Sequence, residues 1–220
     1  MSGQRMSAPT GSMNTMSAMS AADVPIEVLL DALRRFEQCL RGVAQDVTSR
    51  LSSPTRPVPP GPGAWRSVAA LTSVSPATFL SPAARLAVCD EPLLLRVLAM
   101  RALYARGALV RRCVDRERLL TLRAAVGREA FTRLLAVAPV HGVSEPDWPA
   151  DVTSQTLVAD GLSRLRHPGG IDDPSLMPLL SLRLARFDGV PVHEMPGHAE
   201  LARETTRFFV DLPSLLPEFV

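Results

Sequence analysis

The sequence predicts an all-α fold: a compact multi-helix domain preceded by a disordered amino-terminal segment and by a separate amphipathic helix on a proline-rich spacer. Three observations carry that prediction. Leu, Ala and Arg dominate, aromatics are 5 %, and Ile occurs only at Ile26 and Ile171; the abundant residues lose least side-chain freedom in a helix, and the scarce ones are those that strands favour. Apolar residues recur at three- and four-residue steps. Ser, Asp, Pro and Gly stand where helices would start and stop.

A chain of 220 residues with 46 % hydrophobic residues can close one core of ordinary size. A charged fraction of 21 % and a formal charge of +2 exclude a wholly disordered chain and a protein built only to neutralise phosphates. All 24 basic residues are Arg, a high-GC coding bias that lowers the meaning of any single arginine. Cys39, Cys89 and Cys113 are odd in number and widely spaced, which fits a reducing compartment. No apolar run approaches the roughly 18 to 20 residues that span a bilayer, so direct membrane insertion is not expected. The first 22 residues lack the apolar centre of a secretory signal.

Residues 1–22 have no periodicity and are expected to be disordered. Over 23–51, Asp23 offers an N-cap and Pro25 suits a first turn. Ile26, Leu33, Leu40 and Val47 share one heptad position, and Leu29, Phe36 and Val43 another. Residues 52–74 are a spacer rich in Pro, Gly and Ser, which would leave that helix semi-detached. The helical domain proper is expected over 75–220. Its starts are signalled by Ser75-Pro76 and Ser81-Pro82, by Asp90 with Pro92, and by Asp115.

Leu94, Leu95, Leu98, Leu103 and Val110 predict one long buried helix, in which Gly107 would mark a close helix contact. Gly127 should stop the helix that Asp115 begins, and a further helix over Glu129–Val137 should end before Pro139. Leu157, Val158, Gly161, Leu162 and Leu165 space a helix over Thr156–Arg166. Leu179–Leu184 suits either a strand or a helix, and a last helix is expected over His198–Val210.

No catalytic, cofactor-binding or metal-ligating residue emerges, so the chain is read as an interaction protein rather than an enzyme. His193 and His198 stand five apart around Pro196-Gly197, whereas two zinc ligands on one helical face stand four apart. Asp172-Asp173 beside Pro174 reads as a turn and helix cap. Phosphate-loop and nucleophile-elbow patterns are missing from the sequence.

Charge is more informative. Residues 96–133 carry ten arginines against Asp115, Glu117 and Glu129, while 138–220 carry twelve acids against six arginines. A basic face and an acidic face are expected. Arg111, Arg112 and Arg116 would steer an acidic protein partner, with a solvated helical face as the plain alternative. Trp148 is either an interface anchor or a lid on the domain's own core. Leu33, Phe36 and Leu40 would meet a partner helix or fold onto the chain's own core. Nucleic acid is not expected as a ligand, since only Tyr104 and Phe131 are aromatic in the basic stretch.

The order of short segments resembles the K subunit of the bacterial type III secretion sorting platform over roughly residues 75–187. The stretches are Ser75-Pro76-Ala77-Thr78-Phe79-Leu80, Gly107 through Arg111-Arg112-Cys113-Val114, Leu119-Leu120-Thr121-Leu122, Trp148-Pro149, the Ser154 to Gly161-Leu162 helix, and Leu180-Ser181-Leu182-Arg183-Leu184. The resemblance implies a non-enzymatic cytoplasmic adaptor at the cytosolic face of the inner membrane. It would link the cytosolic, forkhead-associated-like domain of the inner-membrane ring protein to the pod protein, and through the pod to stator and ATPase. The helix before Ser75 has no counterpart in the resemblance. A secreted effector or effector chaperone is the alternative suggested by the Ser-, Met- and Thr-rich start, and an arginine-rich nucleic-acid binder is a third.

Overall fold

The computed structural model describes residues 26–51, 78, 79, 81–137, 146–168, 171, 176–187 and 197–219. Among the described residues every regular element is a helix. In chain order α1 is Ile26–Leu51, α2 Pro82–Val88, α3 Glu91–Tyr104, α4 Gly107–Arg112, α5 Arg116–Val126, α6 Arg128–Ala136, α7 Ser154–Arg166, α8 Met177–Arg183 and α9 His198–Leu215. Short 3-10 turns follow α8 at Ala185–Phe187 and α9 at Pro217–Phe219. The segments expected to be disordered or to act as a spacer, and the Asp172-Asp173 turn, lie outside the described residues.

Local chemistry places most of the boundaries. The Ser81 side chain accepts from Ala84 N at 3.1 Å while Pro82 opens α2. Asp115 accepts from the backbone N–H of both Glu117 and Arg118. Thr153 and Thr156 form a reciprocal capping box, so α7 begins at Ser154, two residues before the expected start. Gly127, at φ 88°, ends α5 and begins α6 in one step that a Cβ would strain.

Two elements depart from expectation, and a third resolves a choice the sequence left open. The long helix divides at Ala105-Arg106 into α3 and α4, because Arg106 leaves helical geometry (φ −112°, ψ 29°) and turns its side chain inward. Leu179–Leu184 is helical: Leu180 and Leu184, four apart, are buried while Leu182 between them is only half-buried, the signature of a helical face. The last helix continues past Val210 to Leu215 in spite of Pro213, since it buries Leu212 and Leu215; burial of two such side chains, about 1.5–3 kcal/mol each, offsets the missing hydrogen bond.

Helix α3 is the axis of the fold. Leu94, Val97, Leu98, Met100 and Leu103 are wholly buried around its circumference, as befits a helix enclosed on all sides. It packs most extensively on α7. The two backbones approach at Gly161, where a Cβ would run into the Leu98 carbonyl oxygen. Gly107 does not mark such a contact, because a Cβ there would meet only the end of the Arg111 side chain at 3.2 Å.

Helix α1 is not detached within this structure. It lies across α2 and α8, and Phe36, 9 % exposed, sets its ring 5.2 Å from that of Phe79. Leu33 and Leu40 pack on the same core. The spacer's composition suggested independence; burial of the Leu29, Leu33, Phe36, Leu40 stripe against the domain determines the placement instead. Cys39 and Cys89 lie where α1 meets α2 and α8, and burial pushes the Cys89 thiol up to about 12.

Arginines close the helix ends. Arg96 donates to Val126 O at the end of α5, Arg111 to the carbonyls of Leu135 and Val137 at the end of α6, and Arg183 to Ala87 O (2.7 Å) and Cys89 O (2.8 Å) at the end of α2. Each brings a cation from another helix to carbonyls that have no partner within their own helix, at the negative end of its dipole.

Candidate partner-binding surface

The basic and acidic halves of the domain meet inside it. Arg101 on α3 donates to Glu204 Oε1 and, at 3.0 Å, to Thr205 Oγ1 on α9. Arg106 donates to Asp160 Oδ2 of α7 at 2.7 Å and to Asp147 O at 2.9 Å. Arg164 reaches the same Asp160 oxygen at 3.1 Å and lies 3.7 Å from Glu204 Oε2. All five charged side chains are 4 % exposed or less. Burial acts to raise the Asp160 pKa, but the two guanidiniums beside it outweigh burial and hold the carboxyl below its ordinary value.

This network corrects the expectation of separate basic and acidic faces. Arg96 adds a link to Glu218 at the rim. Three basic-half arginines are thus paired with acids from the far half of the chain, and the sequence polarity acts as an internal clasp joining α3, α7 and α9. Its signals in the sequence are faint: Arg101 interrupts the apolar run of α3, and Asp160 stands within Val158-Ala159-Asp160-Gly161-Leu162.

The residues singled out from sequence separate into four groups. Leu33, Phe36 and Leu40 face the domain's own core, while Ile26 (69 % exposed), Val28 and Leu30 of α1 are exposed. Arg111 is engaged as the cap on α6. Trp148 is half-buried against the core with the Arg118 guanidinium 5.5 Å over its ring, so it serves as a lid while keeping one edge accessible.

Arg112 and Arg116 remain on the surface, at the corner where α4 turns into α5. Between and beyond them the structure exposes two apolar side chains that sequence reasoning passed over, Val114 at 94 % and Leu120 at 57 %. Leu120 was hidden in the Leu119-Leu120-Thr121-Leu122 run, where composition cannot separate inward from outward leucines. Helical phase separates them: Leu122 is buried, Leu119 packs against the core, and Leu120 points away.

Among the described residues no group of His, Cys, Asp and Glu is arranged to hold a metal, and no helix is long and apolar enough to cross a membrane. His198 opens α9, and His193 lies outside the described residues.

The structure is thus an arginine-clasped, all-helical domain that exposes Val114 and Leu120 beside Arg112 and Arg116. Its family follows from the match of residues 64–218 to the bacterial type III secretion protein (HrpB4) family, to which the chain belongs. This is the K-subunit-like family towards which the segment order of residues 75–187 pointed. The match reaches past Phe187 through α9, and so includes Glu204 and Glu218, while α1 lies before it. No curated protein and no solved structure matches the chain.

Proposed function

We propose that this type III secretion protein is a non-enzymatic adaptor of the cytoplasmic sorting platform, held at the cytosolic face of the inner membrane. It joins the cytosolic, forkhead-associated-like domain of the inner-membrane ring protein to the pod protein, and through the pod to stator and ATPase. The observation that carries this reading is the family match across residues 64–218, which takes in the whole clasp of α3, α7 and α9. A bracket between two assemblies must resist shear, and buried charge pairs across three helices favour one rigid arrangement. Internal pairing of Arg101 and Arg106 argues against nucleic acid as the ligand, because those cations are not presented to solvent phosphates.

The test is affinity purification of the tagged full chain from its native cell. Recovery of both ring and pod proteins is the expected result; recovery of neither refutes the adaptor. Export of a reporter fused to residues 1–22 would favour the effector reading.

A further inference from the structure

We infer that the outward face of α5, centred on Leu120 and flanked by Arg116 and Arg123, is a docking surface for an acidic partner segment that carries an apolar anchor. This rests on the adaptor reading. Arg116, Leu120 and Arg123 stand at i, i+4 and i+7, one exposed stripe of α5 on which Leu120 is turned away from the buried Leu122 and Val126. Val114, 94 % exposed, extends the apolar surface from the amino-terminal end of that stripe. A leucine 57 % exposed has no use in the chain's own core, and Arg123, though exposed, rests its guanidinium 5.6 Å over the Phe131 ring at the edge of this face.

Charge complementarity selects the occupant. Glu117 is the sole acid within α5, and the Asp115 carboxylate just before it is engaged as N-cap to Glu117 N and Arg118 N. Glu117, exposed three residues before Leu120, shares this face, and the two arginines outnumber it, so the stripe is net basic beside an apolar centre. It matches a segment whose carboxylates bracket a Leu, Val or Phe, such as one face of an acidic amphipathic helix. Nucleic acid fits less well, since the stripe has no aromatic side chain on which a base would stack.

The helix is also held as a rigid platform. Asp115 closes its start, Gly127 its end, and Arg96 holds the last carbonyl. Ordering the partner alone is then required on binding, which lowers the entropic cost of the complex.

The test is site-specific photocrosslinking in the native cell, with p-benzoylphenylalanine in place of exposed Ala124, one turn beyond Leu120, and in a second strain in place of exposed Arg34 on α1. The expected adduct at 124 maps to a net-acidic segment of a secretion-apparatus protein. It should fall at least about tenfold with R116E/R123E and with L120E, while the circular dichroism melting curve is unchanged. An adduct undiminished by these substitutions overturns the inference, as does an adduct to a second copy of the chain or to nucleic acid. Absence of any adduct at 124, while the tagged chain still purifies with ring and pod proteins, removes this surface and leaves the adaptor standing. Failure of that co-purification removes both.

Discussion

Replacing Glu204 by Ala tests the idea that paired charge holds the centre of this protein together. Glu204 is 2 % exposed and lies between Arg101 and Arg164, both wholly buried. The network already sets three guanidiniums against two carboxylates, and the terminal nitrogens of Arg164 have no hydrogen-bond partner in the protein. Without Glu204, three buried cations would share Asp160 alone. Breaking a buried pair by removing one partner costs about 3–5 kcal/mol. Against a total of about 5–15 kcal/mol this is roughly a fifth or more of the stability.

At about 2–4 °C per kcal/mol for a domain of this size, the melting midpoint should fall by roughly 8–16 °C for a loss near 4 kcal/mol. Urea is the denaturant to use, being uncharged, with helicity followed by circular dichroism. The midpoint should drop with little change in slope. The double variant R101M/E204M should recover much of the loss, since exchanging both partners for apolar side chains of similar volume avoids the orphaned charge. A Glu204→Ala loss below about 1 kcal/mol would refute the reasoning, because it would mean that water reaches these side chains or that the helices separate readily.

Gly161→Ala should destabilise by about 1–3 kcal/mol in the same titration, because the added methyl collides with the Leu98 backbone; Gly107→Ala, whose Cβ meets only the Arg111 side-chain end at 3.2 Å and no backbone, should cost less than Gly161→Ala. Asp160, whose folded pKa lies below its unfolded value, contributes stability that is full above the unfolded value of about 3.9 and is lost as pH falls through the lower folded value. Urea midpoints measured from pH 6 down to pH 3 should therefore decline less steeply at the acid end in Asp160→Asn than in the unaltered protein. Phe36→Ala should cost about 3 kcal/mol, as α1 loses its ring contact with Phe79, and the thermal midpoint reads this directly. An unchanged midpoint would show that α1 does not depend on that contact for its place on the domain.

Signals confined to one or two helical turns were the legible ones. Ser81 with Pro82 and Asp115 cap as their residue types suggest, and Gly127 stops α5 where a left-handed residue was needed. The candidate surface was half legible: Arg112 and Arg116 are exposed, but Arg111 beside them is drawn to the end of α6. Two neighbouring arginines of identical chemistry differ only because Leu135 and Val137 carbonyls lie within reach of one of them. Leu120 and Leu122 likewise differ in helical phase against α3, which no count of leucines contains.

What the amino-acid order determined alone was the helical class, the main helix starts and the residues able to form a core. These depend on backbone hydrogen bonds and side-chain entropy within short windows. Tertiary structure alone decided that Arg101 would meet Glu204, that Phe36 would cover Phe79, and that Leu120 would be left outside. Arg101 and Glu204 are 103 positions apart, and their pairing exists only once α3 and α9 have packed side by side with water excluded between them. A charge in that place is favourable solely through its partner, so no local reading of either residue could have anticipated it.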